Sequence, residues 1–220
     1  MAVHETPNQM LERHRRTMGE ELGPIFHRLW NDAAQLHLKW NEFVVLFATS
    51  PAQLRVLNSV APAFFNNVFE LSYEDFLLSL MRIADSDHQT LSVHTLARHV
   101  RVAIRDEVNA AKVKFVDAAA FAEDARNNLI AHRNLDVALG RAPRPTYGSR
   151  NEIRGAIRAL DDVIHIVERH YYKTAPTMWD FLEPLGGTRT LVSMLERGLR
   201  DRDREIGHHR HPSPPDEAAE

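Results

Sequence analysis

Pro24-Ile25-Phe26-His27-Arg28-Leu29-Trp30-Asn31-Asp32-Ala33-Ala34-Gln35-Leu36-His37-Leu38-Lys39-Trp40-Asn41-Glu42-Phe43-Val44-Val45-Leu46-Phe47 decides the fold class. Its large apolar residues, Phe26, Leu29, Ala33, Leu36, Trp40, Phe43 and Phe47, recur at steps of three and four. At 3.6 residues per turn that spacing lines them along one face of an α-helix, whereas a strand would need every second position. Pro24 suits the first turn, where its missing N–H would have no partner. The helix is expected to end near Thr49, where Ser50-Pro51-Ala52-Gln53 reads as a capping box for a shorter helix.

The same period continues outward. A third helix is expected from about Pro62 towards Asp85. It is apolar on more than one side, through Phe64, Phe65, Val68, Phe69, Leu71, Phe76, Leu77, Leu78, Leu80, Met81 and Ile83. A helix of that kind is central or meets a partner. Asp85-Ser86-Asp87-His88 interrupts the pattern and reads as a polar loop cap, not a metal cluster, since no further ligands are identifiable. The pattern resumes at Val93, Leu96, Val100, Ile104, Val108, Ala111, Phe115, Ala118 and Ala122, in one long helix or two. Gly140, Pro143, Pro145 and Gly148 punctuate a loop. Ser149-Arg150-Asn151-Glu152 then caps a helix that buries Ile153, Ile157, Leu160, Ile164, Val167 and Tyr171. A last helix, capped by Thr188, carries Leu191, Met194, Leu195 and Leu199.

No run of alternating β-branched residues appears, and no internal repeat. The expectation is an all-α, up-and-down helical bundle with a peripheral N-terminal helix. One domain is expected over residues 1–200, followed by a disordered, charged, His- and Pro-rich tail over 201–220. His208, His209 and His211 could bind a metal, but they fall in that tail, so no native metal role is expected of them. The aromatics Trp40, Phe64 and Phe65 read as core, not as base-stacking platforms.

Bulk composition narrows the function. Cysteine is absent, which removes disulfides, thiolate nucleophiles and cysteine-type zinc sites, and agrees with a cytoplasmic location. No secretory signal is read in Met1–Arg16, and no apolar stretch approaches the roughly 20 residues that span a bilayer, so no membrane partner is expected. A formal net charge of -3 argues against a general nucleic-acid coat but leaves room for a local basic site.

The chemistry concentrates in Arg126-Asn127-Asn128-Leu129-Ile130-Ala131-His132, followed by Arg133 and Asn134. Histidine is the side chain best poised to accept and donate protons near neutral pH. Arginine clamps phosphate oxygens with a planar fork of donors. An amide holds a phosphate or orients an imidazole. His132 is therefore the candidate general acid/base, Arg126 the phosphate clamp and Asn127 the positioning group. In an unbroken helix, residues six apart lie about 120° apart in azimuth and about 9 Å along the axis. Either the helix ends between Arg126 and His132, or a second copy completes the site. Arg133, and Arg150, Arg154 and Arg158 at four-residue steps, are candidate RNA contacts. Local charge is ambiguous: Ala125–Leu160 nets +5, but Glu123–Asp162 only +1. No metal site and no cofactor is read from the residues.

Arginine, five residues and histidine, with a polar residue after the arginine, resembles the signature of the HEPN superfamily. The phrase from Trp40 to Asp85, with Phe43, Leu46, Phe47, Leu57, Asn58, Ala61, Pro62, Phe64, Phe65, Leu78, Arg82, Ile83 and Asp85, resembles the abortive-infection U-type group of that superfamily. The resemblance covers roughly Phe26 to Tyr171. It implies a helical bundle of HEPN type with extra peripheral helices, forming a homodimer in which motifs from two protomers meet at one cleft. It further implies metal-independent endoribonuclease activity on an RNA substrate, as a toxin or phage-defence effector paired in some members with a nucleotidyltransferase antitoxin. The alternative within the same resemblance is a non-catalytic dimeric scaffold or regulator that binds RNA, a nucleotide or a protein.

Overall fold

The computed structural model describes residues 5–127, 134–143, 148–172 and 186–210. Among them every regular element is a helix: α1 (Pro7–Met18), α2 (Leu22–Phe47), α3 (Pro51–Val60), α4 (Pro62–Ala84), α5 (Val93–His99), α6 (Val102–Ala125), α7 (Leu135–Ala138), α8 (Arg150–Tyr172) and α9 (Thr188–Arg210). The protein is all-α, with the helical content of a HEPN-type bundle. The continuous pattern after Val93 is two helices, because the backbone turns extended at Val100 before α6 begins. The short α7 lies just before the expected loop of Gly140–Gly148 and has no counterpart in the apolar spacing.

The described residues fall into two compact units. The first takes the described residues within Met1–Trp40 and Ser72–Asp180, the second those within Asn41–Leu71 and Phe181–Glu220.

The first unit is built around α6 and α8. Ile104, Val108, Ala111, Phe115, Ala119, Ala122 and Ala125 form the buried stripe of α6, which differs from the expectation in using Ala119 instead of Ala118. Ile153, Ala156, Ile157, Leu160, Val163, Ile164 and Val167 form that of α8. Phe26, Leu29, Ala33 and Leu36, the first half of the face that set the fold class, are fully buried here. The two long helices run antiparallel. At one end Gly148, just before α8, lies against Phe121 near the end of α6. At the other, Arg169 of α8 pairs with Glu107 of α6 at 3.6 Å.

α1 opens with a complete capping box, Thr6 and Gln9 each bonding the other's backbone N–H. It packs against α8 and buries His14. The imidazole of His14 lies 5.2 Å, centroid to centroid, from both Phe26 and His27. Trp30 Nε1–H donates to the buried Glu168 carboxylate at 3.1 Å.

The second unit has a smaller core of Leu46, Leu57, Phe65 and Val192. Phe43, Phe47 and Phe69 form a mutual ring cluster with centroids 5.2 to 5.3 Å apart. Three expectations change here. Phe64 is 60% exposed, because Phe65 beside it takes the inward position. On α9, Val192, with Leu195 and Leu199 partly buried, forms the inward stripe, and Leu191 and Met194 face out. Thr188 does not cap α9 with its side chain; its own N–H is bound by the Glu42 carboxylate at 3.0 Å. α9 continues to Arg210, so residues 201–210 of the expected tail are helical.

Candidate functional site

The anchor of the site is the last turn of α6. Ala119, Ala122 and Ala125 are buried, and their small side chains let the helix end lie close to its neighbours. Beyond Ala125 the chain enters a widened, π-type turn at Arg126 and Asn127. The Arg126 N–H reaches the carbonyls of Ala122 and Glu123. Turns of this kind break the regular register of a helix and re-aim side chains, which is why they recur at functional sites.

Arg126 and Asn127 are both exposed. The Arg126 guanidinium donates to Asn127 Oδ1 at 3.4 Å, so consecutive residues present five N–H donors and an amide side by side. His132 and Arg133 lie outside the described residues. Immediately after them, Asn134 Oδ1 accepts from the N–H groups of Asp136 and Val137, at 3.0 and 3.3 Å, and caps α7. The segment is therefore bounded by the buried end of α6 on one side and a capped turn on the other. Regular α6 ends before Arg126, and the path from Asn127 on to His132 lies outside the described residues.

A second loop supports this end of α6. Gly148 has φ +77°, and a Cβ there would lie 2.4 Å from Cδ2 of Phe121. Its carbonyl accepts from the Tyr73 hydroxyl of α4 at 3.2 Å. α8 then starts with the expected capping box: Glu152 N–H donates to Ser149 Oγ at 3.2 Å, and Ser149 N–H donates to Glu152 Oε2 at 2.6 Å. Those Ser149 bonds hold the Glu152 carboxyl below its usual range. Phe121 and Tyr73 were not singled out from the sequence, because their contact to Gly148 is non-local; the only local signal was the Gly/Pro punctuation of the loop.

Arg150, Arg154 and Arg158 are exposed on α8. Because α6 and α8 are antiparallel, Arg150 sits at the Arg126 end of the pair, and Arg158 lies about 12 Å further along the axis. The row thus starts at the candidate site and leads away from it. At Asp85–Asp87, consecutive Asx turns form: Asp87 N–H donates to Asp85 Oδ1 and Gln89 N–H to Asp87 Oδ1, each at 2.9 Å. Among the described residues, no group of three or more His, Asp or Glu is placed to hold a metal ion. No single helix among them is long and apolar enough to cross a membrane.

Comparison with protein families matches residues 19–191 to AbiU2, a HEPN family. The chain belongs to the AbiU2 family of HEPN domains. The match contains the whole of Arg126–His132 and the arginine row of α8, and leaves α1 and most of α9 outside it. Comparisons with curated proteins and with solved structures give no match.

Proposed function

We propose that this AbiU2-family protein is a metal-independent endoribonuclease that acts as a toxin or phage-defence effector. The observation that carries the reading is the exposed Arg126–Asn127 pair, fixed at the buried end of α6 and opening an arginine–histidine motif within the family match. In this reading Arg126 binds the scissile phosphate and stabilises the charge that develops on its oxygens. His132 moves the protons of 2′-hydroxyl attack and leaving-group departure. Asn127 orients the arginine through their shared hydrogen bond. Arg133 and the Arg150–Arg154–Arg158 row hold the strand through its phosphates.

The site is completed by a second copy of the chain, which brings a second motif to the same cleft. Leu135 and Leu139, 66% and 55% exposed directly after the motif, offer apolar surface for that contact. A nucleotidyltransferase antitoxin is the expected partner where the protein is held inactive, and the cytoplasm is the expected place of action.

The test is incubation of purified wild-type and His132→Ala protein with mixed single-stranded and structured RNA in excess chelator. Cleavage by the wild type alone supports the reading. Intact RNA with both proteins, across a wide concentration range, moves the assignment to a non-cutting scaffold of the same fold.

A further inference from the structure

A second cluster of cations lies far from Arg126. α5 packs against the first turns of α6 after the chain reverses at Val100–Arg101. Val93, Leu96 and Ala97 seal α5 into the core, so His94 and Arg98, four residues apart, are carried on its other side. On α6, Arg105, Asn109 and Lys112 fall at i, i+4 and i+7, which places them on one face. His94, Ala97, Arg98, Arg105, Asn109 and Lys112 together line an open cleft of about 370 Å³. That volume is at the lower end of small-ligand sites, roughly 300–1,000 Å³.

Among the described residues, no carboxylate lines the cleft. The cations instead meet neutral acceptors. Arg98 donates to the His88 carbonyl at 3.1 Å and to Thr95 Oγ1 at 2.9 Å. Arg105 donates to the Val100 carbonyl at 3.2 Å, and Lys112 to Asn109 Oδ1 at 2.9 Å. These bonds orient the side chains without neutralising them, and each guanidinium keeps further N–H donors to offer. His94 Nε2 is buried with no hydrogen-bond partner, while the Ala84 backbone holds the ring from the other side. Burial, Lys112 and Arg98 all disfavour its cationic form, against the opposing pull of Asp85. Clustered like charges with an unpartnered polar atom cost folding free energy, which an anion in the cleft would offset.

We propose that the α5–α6 cleft is a phosphate-chain site, in which Arg98, Arg105, Lys112, His94 and Asn109 take the phosphates of a nucleoside triphosphate or an inorganic polyphosphate. The cations converge from two helices on a compact recess instead of tracking along a groove, which suits a short phosphate chain. Among the described residues, no phenyl, phenol or indole ring lines the cleft, so recognition runs through the phosphates and not through stacking on a base. Arg105 precedes Arg126 by 21 residues on α6 and its extension, or about 30 Å along the axis. The site is therefore separate from the proposed nuclease centre and does not depend on that assignment.

The test is titration calorimetry of the full chain with inorganic tripolyphosphate, ATP, adenosine and sulfate. The same titrations are made with an Arg105→Gln/Lys112→Gln variant and with Arg126→Ala. The expected result is saturable tripolyphosphate and ATP binding at one site per chain, with adenosine silent and sulfate weaker. The paired glutamine variant should bind at least about tenfold more weakly, because charge-assisted hydrogen bonds are lost. Its melting temperature without ligand should be no lower than wild type, and Arg126→Ala should bind as wild type. Equal affinities for tripolyphosphate and ATP assign the site to the phosphate chain alone; ATP at least tenfold tighter assigns it to a nucleotide. Tripolyphosphate bound no better than sulfate, binding unaffected by the glutamine pair, or a single-stranded RNA that displaces tripolyphosphate at lower concentration would each overturn the proposal.

Discussion

Gly148 and Phe121 leave each other no room: a Cβ on Gly148 would sit 2.4 Å from the Phe121 ring, and the glycine's φ of +77° is itself strained for any other residue. This contact clamps the loop before α8 onto the last turns of α6, next to the turn that carries Arg126. Gly148→Ala is expected to destabilise the protein by about 1–3 kcal/mol, combining left-handed backbone strain with overpacking. Urea unfolding measures it, and a loss below about 0.5 kcal/mol would contradict the clamp.

The buried His14 makes stability depend on pH. Burial, then repulsion from His27 and Arg13, lowers its pKa from 6.5 to about 4. The unfolded state therefore binds the proton first as pH falls. The stability linked to neutral His14 is full above about pH 6.5 and is lost as pH falls towards 4, by up to about 3 kcal/mol. His27 is shifted in the same direction, by burial and then by Arg28. The melting temperature should drop between pH 7 and pH 5, and His14→Leu should flatten that drop. An equal pH dependence in the variant would show that other groups are responsible.

Glu42 caps a helix from across the second unit, its carboxylate accepting the Thr188 N–H at 3.0 Å. Removing a cap costs about 0.5–2 kcal/mol. Glu42→Ala should therefore accelerate amide hydrogen exchange in the first turn of α9, with little change in α6 or α8. Uniform acceleration across the chain would mean that Glu42 does more than cap.

Much of the fold was legible because it is local. The three-four spacing from Phe26 to Phe47 and from Ile153 to Tyr171, with the Ser50 and Ser149 caps, places α2, α3 and α8 closely. At Ser50 only half of the box forms: Ser50 Oγ accepts from the Gln53 backbone, but the Gln53 side chain turns to the carbonyls of Val45 and Leu46. Features set by tertiary contact were not legible. The choice of Phe65 over Phe64, the inward turn of Val192, the Glu42 cap and the Gly148–Phe121 contact each depend on a distant residue. The α5–α6 cleft was hidden for the same reason, since His94 and Lys112 become neighbours only when the chain reverses at Val100. At the candidate site, the consecutive Arg126 and Asn127 are joined by a hydrogen bond, while His132 falls outside the described residues.

Arg126 is exposed, and its guanidinium donates to Asn127 Oδ1. Arg126→Ala should lower the RNA cleavage rate by about 10²–10³-fold, the cost of removing one transition-state donor, without a change in melting temperature. Asn127→Ala should lower the rate by a smaller factor, because the arginine is loosened and not removed. Comparable losses of rate and stability in Arg126→Ala would place the residue in the scaffold instead.

The most direct measurement of the central claim compares an RNA and a DNA strand of one sequence, each incubated with wild-type and His132→Ala protein in excess chelator, with end-group analysis of the products. The account predicts that the wild type cuts the RNA to 2′,3′-cyclic phosphate ends and leaves the DNA intact, and that His132→Ala cuts neither. DNA cleaved as fast as RNA, products without cyclic phosphate, or undiminished cleavage by His132→Ala would contradict it.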